Sequence, residues 1–218
     1  MIIPLPENFE YNHDAIHAYE EEGILKMTPY GFEEVMYAVT YELNGDQFCH
    51  YCHRSLTRSI RTLDHIYPRA YGGISIPNNL VVCCKDCNST KSNLLPEQYS
   101  KLRKEEDATA RKRWMEYCTD KNLERRRQTG IILPDKWYEM RENYMVFTPI
   151  TSSDNFKISQ KYQNLLEKYE TYGKICRPIV ISRNRVVIDG FLALILAKNL
   201  GLKIPLPFIM LENVEVIM

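Results

Sequence analysis

The segment from Phe48 to Asn93 decides the fold, and it reads FCHYCHRSLTRSIRTLDHIYPRAYGGISIPNNLVVCCKDCNSTKSN. A C-x-x-C pair lies near each end, formed by Cys49 and Cys52 and by Cys84 and Cys87. Four soft thiolates in two such pairs are typical of a closed, tetrahedral zinc site. The 31 residues between the pairs exceed the usual loop of a zinc ribbon, which predicts a folded structure inside the loop.

Three neighbouring residues leave the ligand set partly open. Cys83 adjoins Cys84 but lacks the two-residue spacing to Cys87, so we predict that it is a buried thiol. His50 and His53 stay open as substitute zinc ligands. Because zinc binding to such a site contributes on the order of 10 kcal/mol at neutral pH, we expect that the segment does not fold without the metal.

The residues between the cysteine pairs predict two strands followed by a helix. Leu63–Ile66 ends a short apolar run, and Gly72 and Gly73 mark a turn. The apolar stretch Asn78–Val82 then predicts a second strand, and Cys84–Lys91 predicts the start of a helix. A hairpin followed by a helix is therefore expected.

In its order of C-x-x-C, D-H, N-L, C-x-x-C-N and K, this segment resembles the HNH, or ββα-metal, nuclease motif, over about a fifth of the chain. Phage Holliday-junction resolvases of the endonuclease VII kind share that order, so this subclass stays open. The resemblance implies an α+β fold, in which a zinc-stabilised ββα-metal core has helical flanks.

The resemblance also implies the catalytic residues. Asp64 and Asn88 would bind one Mg²⁺ or Mn²⁺ ion, since both offer hard oxygen ligands. His65 would be the general base that deprotonates the attacking water, a role that suits an imidazole near neutral pH. Asn79 matches the middle asparagine of the motif and would orient the histidine.

Two cations are candidates for contact with the substrate. Lys91 and Arg69 would hold the phosphodiester or stabilise the charge of its transition state. The alternative is that each is a plain contact to the DNA backbone or a solvated surface charge.

The formal charge sums to zero, but it is unevenly distributed. Residues 1–47 carry one base and ten acids, whereas residues 48–95 carry six bases and two acids. The basic part of the chain is thus the part that contains the cysteine pairs. This is compatible with DNA as a partner, although charge blocks are also common on solvated faces.

We expect residues 1–47 to be an acidic, helical region that supports the cysteine segment. Apolar residues recur there at helical spacings, namely Ala15, Ile16 and Tyr19, and then Phe32, Val35, Met36 and Val39. Residues 48–95 form the predicted nuclease core.

Residues 96–150 are predicted to form a basic helical region and a linker. The apolar stripe of one long or broken helix would comprise Tyr99, Leu102, Trp114, Met115 and Cys118. The basic stretch Lys101–Arg127 could lie along a phosphate backbone, or it could be a solvated helix face. A loop at Gly130 and Pro134 and a linker at 149–153 follow.

The last predicted module spans residues 151–218. Its residues 154–218 read as α-β-β-α-β, and their strands around Arg177–Ile181 and Val186–Gly190 are similar to the ParB/sulfiredoxin-like fold. Members of that fold usually follow the D-G pair with histidine or arginine, which bind nucleotide or phosphate. Here Phe191–Leu194 follows instead, so we expect a small, non-catalytic α/β module that guides DNA or binds a partner. A homodimer or a protein partner through this module or through the acidic N-terminal region stays open.

The composition favours an ordinary globular protein, with 44% hydrophobic and 26% charged residues. The first ten residues lack the basic and apolar regions of a signal peptide, and no apolar stretch is long enough to span a membrane. We therefore expect a cytoplasmic protein of a prokaryote or a phage-infected host cell. The seven cysteines would then be reduced thiols rather than disulfides.

Two functions are compatible with these features. The first is a metal-dependent HNH endonuclease that hydrolyses DNA phosphodiester bonds, of phage, mobile-element or defence origin, and able to nick duplexes or to resolve junctions. The alternative is a catalytically inactive, zinc-stabilised module for DNA binding or complex assembly. The combination of Asp64, His65, Asn79 and Asn88 favours the enzyme.

Overall fold

The computed structural model of the chain describes residues 1–129, 138–140, 159–175, 177–201 and 206–217. These residues form six α-helices and ten β-strands, which confirms the α+β class. The chain divides into two compact units: unit 1 comprises Met1–Val39 and Asp135–Met218, and unit 2 comprises Thr40–Pro134. None of the helices described is long and apolar enough to cross a lipid bilayer.

Unit 2 contains the cysteine segment and has the predicted hairpin and helix. Strand β4 (Arg61–His65) pairs with β5 (Leu80–Cys84) in antiparallel register, so that Asp64 lies opposite Val81. Helix α2 (Lys85–Lys91) follows β5 directly. Single 3₁₀ turns at Arg69–Tyr71 and Pro77–Asn79 lie in the connection between the strands.

The predicted basic helix is broken in two. Helix α3 (Pro96–Lys104) ends before α4 (Ala108–Thr129), and the Asp107 carboxylate caps α4 by accepting a hydrogen bond from the backbone N–H of Ala110 at 2.6 Å. The predicted apolar stripe is confirmed, because its members pack in one cluster: Tyr99, Leu102 and Cys118 with Trp114 and Met115. The side chains of 125–129, the loop at 130–134 and the linker at 149–153 lie outside the described part of the chain.

The beginning of unit 1 differs from the helical prediction. Strands β1 (Glu10–His13), β2 (Ile16–Glu21) and β3 (Ile24–Met27) form two antiparallel hairpins. At the second turn, Glu22 and Gly23 both have positive φ values, 52° and 78°, as a two-residue hairpin turn requires.

The helical spacing of Ala15, Ile16 and Tyr19 was therefore misleading, since Ala15 and Tyr19 are exposed. The buried residues are instead Ala18, Leu25 and Met27, which alternate along the strands. Helix α1 (Phe32–Asn44) is shorter than expected, but all four of its predicted apolar positions, Phe32, Val35, Met36 and Val39, are buried.

The C-terminal residues contribute to two sheets of unit 1. Strand β10 (Val214–Val216) pairs in parallel with β3 and completes the sheet β1-β2-β3-β10. The N-terminal and C-terminal segments, which are far apart in the sequence and were predicted as separate regions, thus share a sheet.

The second sheet of unit 1 has the order β6-β9-β7-β8. Its strands are β6 (Tyr138–Met140), β7 (Ile179–Ser182), β8 (Val187–Asp189) and β9 (Leu206–Leu211). Helices α5 (Gln160–Tyr172) and α6 (Phe191–Asn199) contribute to the core of this sheet. The predicted order α-β-β-α-β is present, and β10 follows it.

Candidate active site

Two knuckles in unit 2 bring together the four cysteines of the C-x-x-C pairs. The sulfur atoms of Cys49, Cys52, Cys84 and Cys87 all lie within 4.8 Å of one another, and those of Cys52 and Cys84 are 3.9 Å apart. Zinc–sulfur bonds of about 2.3 Å in a tetrahedral site place the sulfur atoms about 3.8 Å apart. The four cysteines therefore fit a structural zinc site, as predicted.

Backbone N–H groups surround the thiolates. The amides of Cys52 and Cys84 donate to the Cys49 Sγ at 3.5 and 3.3 Å, and the amide of Cys87 donates to the Cys84 Sγ at 3.4 Å. The second knuckle is also the first turn of α2, because the Cys84 Sγ caps that helix. Zinc binding and the start of α2 are thus coupled through one side chain.

The other candidate ligands lie apart from this cluster. Cys83 is fully buried, as predicted, and its burial raises the pKa of the thiol far above its usual range. His50 and His53 are not members of the ligand cluster and line an adjacent cleft instead. The structure therefore favours the all-cysteine ligand set.

The Arg54 side chain supports the zinc site from outside. Its guanidinium donates a hydrogen bond to the Cys84 Sγ at 2.8 Å and forms an ion pair with Asp86. Burial raises the pKa of Cys84, but hydrogen bonds from the Cys87 amide and from Arg54 lower it by more, to about 6. Cys84 is therefore held as a thiolate at neutral pH.

Asp64 is a buried carboxylate with two partners. Its Oδ2 lies 2.9 Å from the Lys91 ammonium and accepts a hydrogen bond of 2.5 Å from the Tyr51 hydroxyl. Burial and the Asp64 charge raise the pKa of Tyr51 well above its usual range, so the phenol keeps its proton and donates. Within the described residues, no hydrogen bond to the Asp64 Oδ1 is seen.

His65 lies at the end of β4, next to Asp64, and its side chain is partly buried. Its Nε2 lies 2.9 Å from the hydroxyl of Ser75, which is itself buried. The backbone carbonyl of His65 accepts a hydrogen bond of 2.6 Å from the Lys91 ammonium. Lys91 thus contacts both members of the Asp64-His65 pair.

Asn79 holds the connection between the two strands. Its amide oxygen accepts from the Tyr67 N–H at 2.8 Å, and its amide nitrogen donates to the carbonyls of Tyr67 and Ile74 at 3.1 and 2.9 Å. Gly73 fits against this arrangement because a Cβ there would lie 1.9 Å from the Tyr67 carbonyl oxygen. The loop that contains Ser75 is therefore fixed by Asn79 and requires glycine at 73.

Asn88 projects from α2 toward β4. Its amide nitrogen donates to the Leu63 carbonyl at 3.1 Å, one residue before Asp64. Asn88 and Lys91 are three residues apart on α2 and so lie on the same helix face. With its nitrogen engaged, the amide oxygen of Asn88 has no hydrogen bond within the part of the chain that is described.

The two predicted substrate-binding cations differ in exposure. Lys91 is only 1% exposed and is paired with Asp64, so it is not a solvated surface charge, and its contact with the substrate stays a prediction. The reason is the buried carboxylate of Asp64, which requires an opposite charge. Arg69 is exposed on the 3₁₀ turn, where a substrate could reach it.

Two residues of this constellation were not singled out from the sequence. Tyr51 lies between the two cysteines of the first C-x-x-C pair. The motif specifies the cysteines and says nothing about the residues between them. Ser75 lies in a loop without periodicity. Only the tertiary contacts to Asp64 and His65 identify them.

A cleft of about 450 Å³ opens beside Tyr51. Its described lining comprises His50, Tyr51, His53, Ile66, Lys91, Pro96, Tyr99, Ser100, Arg103 and Lys104, and contains no acidic residue. Burial lowers the pKa of His50, and the positive neighbours His53 and Arg103 lower it further, whereas Asp64 raises it. The described lining thus contains the cationic side chains of Lys91, Arg103 and Lys104 and no carboxylate.

Residues 49–103 match the family model of the HNH endonucleases. The match covers about a quarter of the chain and includes both knuckles, the β4-β5 hairpin, α2 and nearly all of α3. No curated protein and no solved structure matches the chain. The HNH resemblance is thereby confirmed for this segment, while the ParB-like resemblance of the C-terminal module stays a prediction.

Proposed function

We propose that this protein, through its HNH endonuclease segment, hydrolyses phosphodiester bonds of DNA with the help of one Mg²⁺ or Mn²⁺ ion. The proposal rests on the contact between strand β4 and helix α2. There Asp64 and His65 are adjacent on the strand, and Asn88 reaches from the helix to the carbonyl of Leu63. This reaction requires oxygen ligands that hold a divalent ion and a base that accepts the proton of the attacking water, and these three side chains provide both.

The chemistry of Asp64 and Asn88 fits a hard divalent ion. Both offer oxygen ligands, and in each side chain one polar atom is engaged by the protein while the other oxygen has no described hydrogen bond. Two protein ligands are too few for an octahedral ion, so water and a phosphate oxygen would complete its shell. When bound, the ion would supply Lewis-acid polarisation of the scissile phosphate.

The protein side chains would carry out the proton transfer. His65 would accept the proton of the attacking water. Ser75 would hold the imidazole through its Nε2, and Asn79 would fix the loop that carries Ser75. Lys91 would position Asp64 and the backbone of His65.

One observation favours the alternative, a module that binds DNA without cutting it. The Lys91 ammonium already neutralises Asp64, and a divalent ion would have to bind beside this positive charge. The dependence of cleavage on added ions separates the two functions. A homodimer or a protein partner stays a prediction.

The test uses supercoiled plasmid and a synthetic four-way junction, incubated with the zinc-loaded protein with Mg²⁺, with Mn²⁺ or without added divalent ion. We expect cleavage only with an added ion. Nicked circles would indicate single-strand cutting, linear product would indicate paired or successive cuts, and resolved junctions would indicate the resolvase subclass.

The variants His65→Ala and Asn88→Ala should lose about 10²–10⁴-fold in rate while they keep their zinc content. His17→Ala provides a matched histidine control, since His17 is exposed on β2. Wild-type rates in His65→Ala would show that the base is assigned wrongly. DNA binding without cleavage under every ion condition would establish the alternative.

A further inference from the structure

The cleft beside Tyr51 has the composition of an anion site. Arg103 and Lys104 contribute two exposed cations from the end of α3, and the hydroxyl of Ser100 lies on the same helix. The imidazoles of His50 and His53 add N–H donors that are available even in the neutral form.

We propose that this cleft binds a backbone phosphate of the cleaved DNA strand, close to the scissile phosphate. The inference rests on the proposed nuclease function, to which it adds a substrate subsite. The ligand it specifies is a phosphodiester group, read by charge and by N–H and O–H donors without regard to base sequence.

The cleft adjoins the candidate catalytic residues. Tyr51 and Lys91 line the cleft, and both contact the Asp64 carboxylate. One strand of a duplex presents a phosphate about every 3.4 Å along the helix axis. A strand that places its scissile phosphate at Asp64 therefore presents its neighbouring phosphates close to the residues that line the cleft.

The wall of the cleft is held by aromatic contacts. The Tyr51 ring packs edge-on against His50 at 5.0 Å and against the buried Tyr99 at 5.1 Å. Arg103 lies four residues after Tyr99, one turn further along α3, so the anchored tyrosine fixes where the guanidinium emerges. A site that is formed before binding loses little entropy when the phosphate arrives.

Charge balance supports the choice of a phosphate over a cationic or apolar ligand. No acid is found among the described lining residues, and the nearby Asp64 is paired with Lys91. The HNH family match extends to residue 103, so the helix that contributes these cations is part of the matched segment.

The experiment measures binding of a short labelled DNA duplex by fluorescence anisotropy at several salt concentrations. Zinc-loaded protein is used in a His65→Ala background without added divalent ion, so that the DNA stays intact. The test variant is Arg103→Ala/Lys104→Ala, and the control is Arg58→Ala/Lys85→Ala, which removes one exposed arginine and one exposed lysine that do not line the cleft. The zinc content of each protein is determined in parallel.

We expect the test variant to bind about tenfold more weakly at low salt, and its slope of log Kd against log salt to fall by about 1, the value for one lost phosphate contact. The control should keep its affinity and slope. Unchanged binding in the test variant, or an equal loss in both variants, would overturn the proposal.

Cleavage is assayed separately with His65 intact. Cutting by the wild type together with unchanged binding in the test variant would reject the subsite and keep the nuclease. Selective loss of binding without any cutting by the wild type would keep the subsite and reject the nuclease.

Discussion

The ammonium of Lys91 lies 2.9 Å from the Oδ2 of Asp64, and the two side chains are 1% and 6% exposed. A buried ion pair contributes little compared with apolar residues, but the removal of one partner leaves an uncompensated charge in the interior. The pair therefore links the stability of unit 2 to the residue next to the proposed base.

Replacement of the cation should reveal this link. We expect Lys91→Met to lower the free energy of unfolding by about 3–5 kcal/mol, because Asp64 stays buried without its partner. Chemical denaturation of the zinc-loaded protein measures the loss. Lys85→Met, on the exposed face of the same helix, should change the stability by less than about 0.5 kcal/mol, and an equal effect of both variants would contradict the argument.

The retention of zinc should depend on pH through Cys84. The pKa of its thiol is lowered from 9.0 to about 6, so the stability that the thiolate contributes is complete above pH 9 and declines as the pH falls toward 6. Protons then compete with the metal, and zinc should be released as the pH drops further. A chromophoric zinc indicator follows the release.

Arg54→Ala should move the midpoint of this release to higher pH, because the guanidinium lowers the pKa of Cys84. Arg58→Ala removes an exposed arginine of the same segment and should leave the midpoint in place. If Arg54→Ala released zinc at the wild-type pH, the hydrogen bond to the sulfur would have no role in metal retention.

A methyl group at position 73 should disturb the loop that carries Ser75. The Cβ of Gly73→Ala would lie 1.9 Å from the Tyr67 carbonyl, a backbone atom that can yield only if the loop moves. We expect cleavage to fall at least tenfold while the zinc content is kept. Gly45→Ala meets no atom within 4 Å and carries only the strain of its positive φ, so it should cleave normally.

Ser75 should act on the rate of the chemical step rather than on DNA affinity. Because its hydroxyl lies 2.9 Å from the His65 Nε2, Ser75→Ala should lower kcat by about 10-fold to 100-fold with little change in KM. Ser75→Thr keeps the hydroxyl and should recover much of the activity. Ser89→Ala, on the exposed side of α2, serves as the control, and a rise in KM alone would assign Ser75 to substrate binding.

The spacing of cysteines, glycines and apolar residues made the structure of the segment Phe48–Asn93 predictable. Three patterns in this segment each depend on only a few neighbouring residues. They are the two C-x-x-C pairs, the turn at Gly72 and Gly73, and the apolar run before Cys84. The zinc cluster, the hairpin and the start of α2 could therefore be predicted.

Features that depend on distant residues could not be predicted in the same way. The burial of Lys91 follows from Asp64 in another element, and a lysine in sequence looks solvated. Likewise, Ile16 and Tyr19 lie in β2, which pairs with β3, and β3 pairs in turn with β10 around Val214. The local sequence does not show this distant strand, so its spacing was compatible with a helix.

The pairing of β3 with β10 has a consequence for biosynthesis. Leu25 emerges from the ribosome well before its sheet neighbour Val214, because 188 residues lie between them. At about 5–20 residues per second, the interval between the end of unit 2 and Val214 is on the order of ten seconds. Unit 2 can thus acquire its zinc ion on the nascent chain, before the N-terminal hairpins receive the strand that completes their sheet.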